Sequence, residues 1–174
     1  MKRIILPLLL TLAFYLESIF VDLLPPEAFG GERIVVPHFL LILLIIMGIY
    51  YVRNHALLYA ALFGLLFDVY YTEIIGIYLF LFPISVYLAS KMMRILHINI
   101  FTTAIVLMIQ IAFVEILVYI FNVFVFSVSI IPSDFATTRL LPTLILNIAC
   151  FILIFFPFSR FLLNKKKIIV DELS

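Results

Sequence analysis

The chain has 174 residues, 67% of them hydrophobic and 12% charged, with a formal net charge of +1. Soluble domains carry roughly 45–50% apolar and about 25% charged residues, so an ordinary soluble protein is excluded; a bilayer, which asks for charge only at the ends of its spans, fits. The small net charge and the lack of a long basic run also exclude electrostatic binding of nucleic acid.

Met1-Lys2-Arg3 opens onto an apolar stretch that continues to Leu24 with no small-x-small cleavage site, which reads as a retained first helix rather than a signal peptide. Cutting the remainder where charge, Pro, Gly and Asn interrupt the apolar runs predicts six transmembrane helices, at about 4–24, 34–52, 56–71, 74–90, 98–120 and 140–163. The expected class is an all-α, polytopic integral membrane protein with a single transmembrane domain over residues 1–174. The third and fourth spans are near the shortest length that crosses hydrocarbon, so a five-span arrangement that fuses them or makes one re-entrant stays open. The segment from Tyr119 to Ile131 is too long to belong entirely to a perpendicular fifth span. It either extends a long, tilted helix or bends at Asn122 into an interfacial segment, leaving the path of residues 119–138 open.

Basic residues set orientation. With six spans, Lys2, Arg3, Arg53, Lys91, Arg94, Arg160, Lys165, Lys166 and Lys167 fall on one side, and only Arg33 and Arg139 on the other. Both termini are therefore expected in the cytoplasm. An odd number of spans would separate the two terminal basic clusters across the bilayer.

Acids inside hydrocarbon cost at least a few kcal/mol and normally face another helix, a cavity or water. Glu17, Asp68 and Glu115 each lie about 13 to 16 residues from the cytoplasmic anchor, which places them at similar depth. Asn147 approaches the same layer from the outer end of the last span, with Arg139 just above it. Glu17, Glu115, Arg139 and Asn147 are thus candidates for an intramembrane polar layer near the outer surface, joined there by Asp68. The alternative is that each acid finds its own water or helix contact without a shared site. In the third span Ala60, Gly64 and Asp68 recur at four-residue spacing and line one helical face suited to close packing, and Gly76 lies where the chain turns back.

His38, after Pro37, is expected near the outer end of its span in an interfacial role, as are His55 and His97 at the other edge. None has a second His or Cys at metal-ligand spacing. Cys150 reads as a small buried apolar side chain. Phosphate-cradling glycine loops, HExxH and GxSxG are absent from the sequence, and Glu17 with Asp68 would be an acid pair without a nucleophile. No catalytic residue, metal site or cofactor is assigned.

Pro37-His38-Phe39-Leu40-Leu41 opening the second span, then Gly64-Leu65-Leu66-Phe67-Asp68 and Gly76, resemble the MreD family of rod-shape-determining membrane proteins, in its Gram-positive, Bacillus-like form. The resemblance covers the whole layout of the chain. It implies a non-enzymatic component of the peptidoglycan elongation machinery in the bacterial cell membrane. The implied partners are MreC first, with the MreB filament, the RodA glycosyltransferase and a class B penicillin-binding transpeptidase contacted directly or through it. It also implies a six-helix fold similar to the substrate-binding subunits of energy-coupling-factor vitamin transporters. Pro37, Gly64, Asp68 and Gly76 carry onto the family pattern, without an assigned binding role. The expected function is a scaffold that docks MreC. The alternatives are a small-molecule-binding transport subunit, which would enclose a cavity lined by Glu17, Asp68 and Glu115, and a handler of lipid-linked precursors, which would have a lateral groove near Arg33 or Arg139.

Overall fold

The structure, a computed structural model, describes residues 4–23, 33–72, 74–126 and 131–173. Lys2, Arg3, Glu73 and the connections at 24–32 and 127–130 lie outside the described residues. All regular structure among the described residues is helical: α1 (Ile5–Leu23), α2 (Phe39–Tyr50), α3 (Arg53–Phe67), α4 (Ile77–Met92), α5 (Ile100–Phe126), a single turn α6 (Pro132–Phe135) and α7 (Leu141–Leu173). Wider π-helical turns at Asp68–Thr72 and Ala136–Leu140 extend α3 and join α6 to α7. Among the described residues, four rods are long and apolar enough to cross a membrane: Ile5–Leu23, Arg53–Thr72, Ile100–Val125 and Pro132–Lys167.

The second predicted span differs most from expectation. Helix begins only at Phe39, and residues 33–38 are extended. The helical part has 12 residues and rises about 18 Å, short of a hydrocarbon core roughly 30 Å thick. The extended part adds up to about 20 Å at strand rise. Pro37 accounts for the break, because it lacks an N–H and pushes the residue before it toward extended backbone.

α2 is buried from Leu40 through Gly48 and packs against α1, α3, α4, α5 and α7. Its sequence is apolar all round, as suits a helix at the centre of a bundle. The outer rods present to the surroundings the large apolar side chains expected to face lipid, among them Leu8, Leu12, Phe101, Ile105, Ile145 and Leu153. The segment after Tyr119 does not bend at Asn122: α5 runs on as helix to Phe126, and Tyr119 stacks on Phe135 at 4.3 Å between centroids.

α3 and α4 share the most extensive interface, for a steric reason. A methyl group at Gly64 would fall on the carbonyl of Tyr78, with Leu79 Cα 3.0 Å away, so only glycine lets the two backbones approach this closely. Ala60, one turn earlier, is fully buried. α2 meets α4 at Gly48, where Ser90 Oγ donates a 3.0 Å hydrogen bond to the Gly48 carbonyl.

These contacts also order the ends of the bundle. Gly48–Ser90, Tyr50–Thr103 (3.0 Å) and Tyr50–Phe155 bring the C-terminal parts of α2 and α4, the start of α5 and the middle of α7 to one level. Arg53, Lys91, Arg94 and Arg160 cluster toward that end. Arg33 and Arg139 lie at the other, where Ile34 N–H donates to the carbonyl of Thr138 at 2.9 Å.

Candidate functional site

A helix that starts inside hydrocarbon leaves orphan N–H groups that water cannot reach. The first turns of α2 and α4 lie against the bundle, with Leu40 and Tyr78 buried, and a buried acid accepts an N–H at each.

Asp68 is fully buried. Its Oδ1 accepts Tyr78 N–H at 2.7 Å, and its Oδ2 accepts Gly76 N–H at 2.8 Å and Leu79 N–H at 3.0 Å. The carboxylate therefore caps α4 from the neighbouring helix, where the positive end of the helix dipole also favours a negative charge. The widened turn at Asp68–Thr72 begins at this residue, and Thr72 Oγ1 donates back to the Asp68 carbonyl at 3.0 Å. Gly76 caps the helix with φ +123°, a conformation that L side chains rarely adopt. Phe67, Tyr71, Tyr78 and Phe82 close over the site, with Phe67 at 4.5 Å from the Tyr71 ring and 4.6 Å from that of Tyr78.

The start of α2 is held by three other helices. Glu17 on α1 accepts Leu40 N–H through Oε1 at 2.8 Å. Asn147 on α7 accepts His38 N–H through Oδ1 at 2.8 Å and donates through Nδ2 to Val36 O at 2.9 Å. Thr143, one turn before Asn147, accepts Val36 N–H at 3.1 Å. The extended backbone is thus zipped onto one face of α7, which supplies the pairing that the missing helical turns would have made. Glu115 on α5 accepts His38 Nε2–H at 2.8 Å and Arg139 Nε–H at 2.7 Å. Arg139 stands in the widened turn before α7, with its side chain 27% exposed.

Glu115, Arg139, Asn147 and Glu17 therefore converge on residues 36–40. Asp68 lies apart, at the start of α4. Pro37 is buried within the extended segment. His38 corrects an expectation: it is 2% exposed and hydrogen-bonded to Glu115 rather than interfacial, because the extended segment carries the chain inward before the helix starts. Thr143 was not singled out from the sequence, although its spacing of four from Asn147 places both on one helical face. Among the described residues, no group of three or more His, Cys, Asp or Glu is placed to hold a metal ion.

Two grooves open sideways. The larger, about 610 Å³, runs between α1 and α7 over the edge of α2 and is lined by apolar side chains including Leu9, Leu16, Phe39, Leu153 and Phe158. The other, about 470 Å³, lies at the Arg33 end.

Fold and site together define a helical membrane protein whose buried charges fix its own backbone. The family described as rod shape-determining protein MreD matches residues 2–166. A curated relative, the rod shape-determining protein MreD of Bacillus subtilis (strain 168), is 34% identical over 172 residues, covering 99% of this chain and 100% of that one. The chain belongs to the MreD family and to the proteins that determine rod shape. No solved structure matches it.

Proposed function

We propose that this chain is a non-enzymatic scaffold of the peptidoglycan elongation machinery. In this reading it crosses the bacterial cell membrane six times, keeps both termini in the cytoplasm, and binds MreC to localise or activate wall synthesis by RodA and a class B penicillin-binding transpeptidase, in register with MreB. The same reading gives it a fold similar to the substrate-binding subunits of energy-coupling-factor transporters. In transporters with discontinuous spans, half-helix N-termini hold anionic substrates; here Asp68 and Glu17 fill the first turns of α4 and α2 from within the chain. That supports a scaffold over a transport subunit.

The carrying observation is the α1–α7 groove. Its lining extends from Ile5 to Leu16 on one wall and from Cys150 to Phe161 on the other, about 17 Å of helix on each side. That is about half the length of a membrane-spanning helix, and its apolar character suits the transmembrane helix of MreC. Co-purification of MreC with Leu16→Trp and Leu153→Trp variants tests the reading, because both side chains line the groove and are exposed. Recovery is expected to fall roughly ten-fold at normal membrane levels. Unchanged recovery with both variants would remove the groove from the interface.

A further inference from the structure

Arg33 is a basic residue at the end of the bundle opposite the main cationic cluster. The other described arginine there, Arg139, is committed to Glu115. Arg33 is exposed and makes no ion pair among the described residues. Asp134, a described acid of the same end, engages Ser133 Oγ at 3.3 Å. The backbone beside Arg33 is nevertheless fixed: Ile34 N–H is bonded to Thr138 O, and Val36 N–H to Thr143. Arg33 is thus a held cation without an ion-pair partner among the described residues.

It also lines the second groove. Val35, Leu141, Pro142, Ile145 and Leu146 form the apolar walls beneath it. Leu141 and Ile145 are largely exposed, so the groove faces the acyl chains. A guanidinium above a lateral apolar furrow, at the level where helices end, matches an anionic phospholipid in both halves. The planar fork of Arg pairs with a phosphodiester, and the furrow takes a hydrocarbon chain.

We propose that Arg33 and the furrow of Val35, Leu141, Ile145 and Leu146 form a specific site for an anionic phospholipid, with its phosphate on Arg33 and one acyl chain along α7. The site is independent of the α1–α7 groove and of the identity of any protein partner. A lipid seated there bridges the extended segment and α7, the two elements held together by Asn147.

Native mass spectrometry of the full chain titrated with phosphatidylglycerol tests the proposal. Retention by the wild type is expected to fall roughly ten-fold in Arg33→Gln, with partial recovery in Arg33→Lys. It is also expected to fall in Ile145→Trp, which fills the furrow and leaves the charge, and to stay unchanged in Arg160→Gln at the opposite end. Equal retention by wild type, Arg33→Gln and Ile145→Trp would overturn the site. Two competition arms separate the sources of phosphate. Glycerol phosphate displacing the lipid at equal concentration would reduce the site to a free-anion site. A polyprenyl phosphate displacing phosphatidylglycerol when present in deficit would assign it to another lipid class. Either result contradicts the proposal.

Discussion

The starts of α2 and α4 pose the same physical problem and receive different solutions. At α4 one side chain suffices: Asp68 collects three backbone N–H groups, and Gly76 supplies the turn geometry. At α2 the backbone is extended for one stretch before the helix, and Glu17, Glu115, Asn147 and Thr143 from three other helices share the task. A local cap holds two neighbouring helices together; a distributed one ties distant parts of the chain to a central helix. The polar groups that sequence gathers into an intramembrane layer hold the backbone of the bundle, and the surfaces proposed for partners are its apolar flanks.

This comparison predicts a ranked set of losses. The largest is expected for Asp68→Leu, which strands three buried donors at once and should cost about 3 kcal/mol or more. The readout is the thermal transition of detergent-purified protein, followed by labelling of Cys150, the chain's one cysteine. Asn147→Leu leaves Val36 O and His38 N unmatched but spares Thr143 and Glu17, so a loss of about 2 kcal/mol is expected. The smallest effect belongs to Glu17→Gln. Glu17 accepts one hydrogen bond through Oε1, while its buried Oε2 has no partner among the described residues. The amide keeps the acceptor, so stability should stay within about 1 kcal/mol. A Glu17→Gln loss as large as that of Asp68→Leu would erase the distinction between the two caps.

The close α3–α4 contact was legible in the sequence because its parts lie near one another: Gly64 and Asp68 at helical spacing, then Gly76 at the return; that Asp68 caps α4 was not. The distributed cap was half legible. Counting depth from the basic anchors brought Glu17, Asp68 and Glu115 to one layer, and counting from the outer end brought Asn147 there, but Asp68 serves α4 instead, and the pairing of His38 with Asn147 joins residues 109 apart, which no spacing rule reaches. The extended segment was hidden because Ile34 to Val52 is continuously apolar, and hydropathy does not distinguish helix from strand in such a run. Pro37 and the β-branched Val35 and Val36 carried the signal for extended backbone. Taking the span as helix from Ile34 placed His38 at the water interface and missed its burial.

Amide hydrogen exchange in the wild type, Asp68→Leu and Asn147→Leu tests most directly whether buried side chains hold these two helix starts. The account predicts that protection is lost at Gly76, Tyr78 and Leu79 in the first variant and at His38 in the second, each leaving the other site protected. Loss spread evenly over the bundle in both variants, or unchanged protection at those amides, would contradict it.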